Sequence, residues 1–196
     1  MMDVERLKKE KGPAGARWIS IFCTSDPEDR GSIEEAEQLG YALARSGYVV
    51  VTGGYGAAME GANRGARRAG GFTVGVTCSI FSREPNAYLN ERIVTESLLD
   101  RLETLLRLSD GYVAAKGGTG TLAELALAWE YINKRIVPRR PLVIVGDFWA
   151  VLPEIMRNAQ AAPGVSIGRA PDSITVARDV EDAVRILEQS FKAGKK

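Results

Sequence analysis

The chain has 196 residues, with 26 basic against 25 acidic side chains, a formal charge of +1, and two cysteines. That length is enough for one domain with a substantial core and no staples, and a balanced charge excludes the global field of a nucleic-acid or membrane-surface binder. Cys23 and Cys78 form no C-x-x-C pair, which excludes a disulfide framework or zinc cluster, and the lack of any histidine excludes His-based triads, bases and metal sites.

The opening MMDVERLKKEKGPAGAR lacks the apolar core of a signal peptide, so residues 1–16 are expected to form a flexible tail and 17–196 one domain. No later apolar run approaches membrane-spanning length, and a cytoplasmic setting is expected. From Trp18 onward, β-branched or aromatic runs alternate with amphipathic stretches, the signature of successive βα units. Strands are predicted at Trp18–Cys23, Tyr48–Thr52, Phe72–Thr77, Ile93–Thr95, Tyr112–Ala115, Leu142–Val145 and Ile174–Ala177. Helices are predicted at 32–46, 57–69, 97–108, 121–134, 149–160 and 180–192, and Ala161–Asp172 reads as a loop. Ser32 with Glu35, and Thr121 with Glu124, have the spacing of capping boxes. The fold class is therefore α/β: Rossmann-like, with a mostly parallel central sheet and helices on both faces.

Two strand-to-helix turns are rich in glycine. The first carries Gly53, Gly54 and Gly56 ahead of a small-residue helix. The second runs Lys116-Gly117-Gly118-Thr119-Gly120-Thr121. Such turns let backbone N–H groups approach an anion at a positive helix end, and open α/β sheets bind ligands at the carboxyl ends of their strands. The alternative to a ligand cradle is simpler: tight turns whose glycines serve only positive φ or close packing. Two turns in one domain favour a phosphate-bearing ligand, with Thr119 and Thr121 as hydroxyl donors. Neither has the G-x-x-x-x-G-K-[ST] spacing of a Walker-type site.

Glu124 reads either as a capping-box carboxylate or, on a helix apolar nearly all round, as a buried acid that needs a cation. Arg101, at the edge of the apolar stripe made by Leu98, Leu102 and Leu105, is the candidate cation, with a snorkelling arginine as the alternative. The apolar helix with Leu122, Leu125, Leu127, Trp129, Tyr131 and Ile132 also points to burial on two sides. The second cover is either another copy of the chain or Trp149–Met156 or the C-terminal helix of the same chain.

The segment Lys116–Glu124 resembles the P-G-G-x-G-T-x-x-E signature of the LOG family of nucleoside 5′-monophosphate phosphoribohydrolases, formerly labelled lysine decarboxylases, and differs only in Lys116. The resemblance extends to Phe22–Ser25, Gly53–Gly61 and Gly146–Trp149. It implies Arg101, fifteen residues before Lys116, and Glu124 as catalytic residues, and Gly53, Gly54, Gly56 and Lys116–Thr121 as the nucleotide-binding set. It also implies a homodimer, a nucleoside monophosphate as ligand, and no cofactor or metal. Where the family has M-H-E-R-K, this chain has Leu98-Leu99-Asp100-Arg101-Leu102. The sequence is also similar to molybdenum-cofactor carrier proteins, for which binding of a pterin phosphate without cleavage is the implied alternative. Glu124 would steady the charge that develops on the ribose as the base leaves. Arg101 would orient Glu124 and keep it ionised.

Overall fold

The computed structural model describes residues 4–160 and 173–193. Seven strands, β1 (Trp18–Phe22), β2 (Val49–Thr52), β3 (Thr73–Cys78), β4 (Glu91–Thr95), β5 (Gly111–Ala114), β6 (Leu142–Val145) and β7 (Ile174–Ala177), form one sheet in the order β4-β3-β2-β1-β5-β6-β7. Every neighbouring pair is parallel. The helices are α1 (Val4–Lys11), α2 (Arg30–Arg45), α3 (Ala58–Arg68), α4 (Leu98–Leu108), α5 (Thr119–Asn133), α6 (Val151–Gln160) and α7 (Val180–Ala193).

The strand pleat sorts the core. Ile19 and Ile21 of β1 face one side, in a cluster with Leu39 and Leu43 of α2, Ala62 of α3 and Leu187 of α7. Phe22 faces the other side with Tyr112, Leu125 and Trp129. Trp18 faces that side too, over Leu105 and Leu108 of α4. Both faces of the central strands are thus buried, which is why they read as continuous apolar runs. Ser20, on the α4 side and fully buried, is satisfied by the Leu105 carbonyl at 3.1 Å and the Ser109 hydroxyl at 2.6 Å.

Three local expectations are corrected. Residues 4–11, expected within a flexible tail, form α1. Lys8 pairs with Asp110 at 2.9 Å, and Leu7 packs on the Trp18 cluster. The Ser32–Glu35 box does not form, because α2 begins earlier: Asp29 is the N-cap and accepts the Ser32 N–H at 3.2 Å. The Thr121–Glu124 box does not form either, since α5 begins at Thr119 after Gly118 and has no side-chain cap. The predicted loop Ala161–Asp172 lies outside the described residues.

On α5, Leu127 and Tyr131 are only partly buried, packed on the same cluster as Trp149, Leu152 and Met156. Ala123, Ala126 and Glu130 of the same helix are exposed in the single chain.

Candidate functional site

From β1 the chain builds β2, β3 and β4 to one side, then returns through α4 and continues with β5, β6 and β7 on the other. The reversal falls between β1 and β5, where loops leave in opposite directions and open a crevice at the carboxyl ends. A cavity of about 680 Å³ lies there, lined by Cys23–Asp26 after β1, Gly53 and Tyr55 after β2, Arg101 of α4 and Lys116–Thr121 after β5, with Glu124. Two hydrogen bonds hold the crevice walls together: Thr24 N–H to the Lys116 carbonyl at 3.1 Å, and the Thr121 hydroxyl to the Cys23 carbonyl at 3.0 Å. The Thr121 hydroxyl is thereby committed to the fold rather than to a ligand. Thr119 remains exposed on the turn.

Arg101 is not a snorkelling side chain. It is 7% exposed, its Nε donates to the Val76 carbonyl at 2.8 Å, and its Nη1 lies 3.4 Å from Glu124 Oε1. Its guanidinium stands 5.7 Å from the centroid of the Tyr55 ring. Tyr55 is itself fixed, because its hydroxyl donates to the Cys78 carbonyl at 3.0 Å and accepts the Cys78 N–H at 2.8 Å. Gly53 supplies the remaining space: a Cβ there would lie 1.8 Å from Arg101 Nη2.

Glu124, released from any capping duty, is held by this cation. Burial pushes its carboxyl up from 4.5 to about 7, and the arginine opposes but does not cancel that rise. Burial therefore works against the ionisation that Arg101 favours. Burial likewise drives the Cys23 thiol far above its ordinary range, which makes it a poor nucleophile.

The sequence-predicted residues divide. Arg101, Glu124, Gly53 and Lys116–Thr121 line one cavity. Gly54 is not on its wall; it has φ +78°, and its missing Cβ would meet Thr77 and Gly75 at 2.9 and 3.1 Å. Gly56 lines a neighbouring cavity with Ala57 and Arg83. Asp29 and Tyr55 were not singled out. Asp29 lines the cavity and pairs with Lys116 at 2.9 Å. No local spacing distinguishes a cap aspartate on a cavity wall from one facing solvent.

This geometry, a ligand-sized cavity at the switch point of a parallel sheet with a buried acid–arginine pair beside an uncapped helix start, defines a small-molecule site of the Rossmann-like class. The SLOG cluster4 family model matches residues 17–145, and the chain belongs to that family. It is 29% identical over 179 residues to the cytokinin riboside 5′-monophosphate phosphoribohydrolase of Mycobacterium tuberculosis, covering 88% of this chain and 94% of that protein. Among solved structures, the molybdenum cofactor binding protein of Rippkaea orientalis superposes with a TM-score of 0.74 at 24% identity, over 91% of this chain and 99% of that one. The molybdenum cofactor carrier protein of Chlamydomonas reinhardtii gives 0.70 at 26%, over 90% and 99%.

Proposed function

We propose that this chain hydrolyses the N-glycosidic bond of a nucleoside 5′-monophosphate to a free base and ribose 5-phosphate. The observation that carries this reading is the Arg101–Glu124 pair, 3.4 Å apart and nearly buried, in the same cavity as the uncapped start of α5. The phosphate sits on the backbone N–H groups of Gly118, Thr119 and Gly120, where the helix end favours an anion. Glu124 then faces the ribose. In its ionised form it accepts hydrogen bonds from ribose hydroxyls and stabilises the positive charge that grows on the sugar as the base departs. Arg101 fixes the carboxylate's position and, held by Val76 and Tyr55, does not move during the step. The kinship with phosphoribohydrolases supports the same reading. No cofactor or metal ion takes part.

Incubation with AMP and other monophosphates, with assay for ribose 5-phosphate, tests the proposal. Release that persists in EDTA is expected. A second reading, retention of a nucleotide or pterin phosphate without cleavage, is supported by the carrier-protein likeness and by Leu99, Leu102 and Lys116 at positions where the resembling enzymes differ. Stoichiometric AMP binding with no ribose 5-phosphate would establish it. The active form is a cytoplasmic homodimer: Leu98, which lines the cavity, and its neighbour Leu99, 44% and 74% exposed at the start of α4, offer an apolar surface to a second copy. Light scattering should give about twice the 21.2 kDa of one chain.

A further inference from the structure

Lys116 and Asp29 line the cavity from different elements, and neither belongs to the Arg101–Glu124 pair. Asp29 is complete as the cap of α2 without the lysine, since its Oδ1 accepts the Ser32 N–H at 3.2 Å and its Oδ2 the Ser32 hydroxyl at 2.8 Å. Lys116 adds a third contact, Nζ to Oδ2 at 2.9 Å. The lysine backbone is pinned through its carbonyl to Thr24, but its side chain is 49% exposed, and the ammonium otherwise stands only 6.0 Å from the Phe148 ring centroid. A half-exposed ammonium therefore begins the turn in which Gly118, Thr119 and Gly120 are exposed and lack a side-chain cap.

We propose that Lys116 and Asp29 form an anion-exchange pair: Asp29 holds the ammonium while the turn is empty, and a phosphate ester seated on the turn takes it over. Asp29 thereby sets how strongly the site prefers a phosphate ester to the uncharged nucleoside. This rests on the reading above in placing the phosphate on the turn. A half-exposed lysine–carboxylate pair is weak in water, whereas a phosphate dianion offers twice the charge and several acceptor oxygens beside fixed N–H donors. The exchange therefore costs little. Lys116 and Ser32 together hold the Asp29 carboxyl below its ordinary range, so it stays ionised at neutral pH and competes with the incoming anion for the ammonium. Asp29 acts through Lys116 as a positioning residue, and removing its charge strengthens phosphate binding.

Titration calorimetry with AMP, inorganic phosphate and adenosine tests the exchange. Asp29→Asn keeps a good N-cap and should bind AMP and phosphate roughly three- to tenfold more tightly with adenosine unchanged; a purely structural role would give no gain. Lys116→Met should weaken AMP roughly tenfold, Lys116→Arg should restore it, and Asp29→Asn in the Lys116→Met background should give no gain. No gain from Asp29→Asn, or the same gain without the lysine, overturns the exchange. Should Asp29→Asn fail to fold, Asp29→Ser, also a cap residue, carries the same expectation. Gly118→Val separates the two ideas: if it binds AMP as wild type does, the phosphate is not on the turn and both fall. If it weakens AMP but not adenosine while Asp29→Asn changes nothing, only the exchange falls.

Discussion

The two glycine turns look alike as sequence and do different work. In the first, Gly53 makes room for the Arg101 guanidinium, and Gly54 takes a positive φ against Thr77 and Gly75. Those glycines serve packing, and their product is a fixed arginine. In the second, Gly117 packs against Thr121, while Gly118 and Gly120 have nothing among the described residues within 4 Å of where a Cβ would stand. Their backbone faces open space at an uncapped helix start. The first turn is a scaffold for the acid–arginine pair and the second is the receiving surface for an anion. A strand followed by glycines therefore does not by itself identify a ligand cradle, and the atom a side chain would meet is what separates the two uses.

Removing the pair that the first turn supports should have the largest effect. Glu124→Gln and Arg101→Ala should each lower ribose 5-phosphate release by about 10²–10³-fold, as loss of a preorganised charge in a dry site does, with circular dichroism unchanged. Wild-type rates in both would remove the catalytic assignment.

Gly53→Ala should follow closely, at about a hundredfold, because its Cβ cannot share space with Arg101 Nη2 and Met59 Sδ, 1.8 and 2.7 Å away. It should also cost about 1–3 kcal/mol of stability, readable by urea denaturation. The comparison breaks if Gly53→Ala instead loses phosphate affinity and keeps the rate at saturation.

Gly118→Val has the converse signature. Its side chain enters open space, so the melting temperature should shift little. AMP binding should weaken by about tenfold with adenosine unaffected. Equal losses for the two ligands would show that the second turn does not read phosphate.

The last expected effect is a pH dependence, which acts on the pair without altering either turn. Glu124 titrates at about 7 in the fold against 4.5 as a free side chain, so between those values the unfolded chain has lost a proton that the folded chain keeps. Its contribution therefore falls as pH rises from 4.5 to 7 and is constant above. The total is at most about 3 kcal/mol in the difference between wild type and Glu124→Gln. If the ionised form is the active one, kcat/KM should rise through the same pH near 7. A difference flat in pH would mean that the carboxyl is not desolvated.

The sequence by itself determined the seven strands, each within two residues of where it lies, and the six helices after Trp18. It also brought forward Arg101 and Glu124, which the fold places 3.4 Å apart. These are local matters: strand patterning, helical periodicity and a contiguous glycine turn are written in neighbouring residues. The docked helix α1 was not legible, because its anchors, Asp110 for Lys8 and the Trp18 cluster for Leu7, are distant in sequence or lie beyond the helix. Strand order was likewise decided in three dimensions, and with it the crevice between β1 and β5 that brings Asp29 to Lys116 and Val76 to Arg101. The caps and the Glu124 carboxyl show the same division. Spacing offered Ser32 and Thr121 as cap residues, but which hydroxyl is free, and whether a carboxylate is dry enough to hold its proton to about pH 7, depend on what packs around it from elsewhere in the chain.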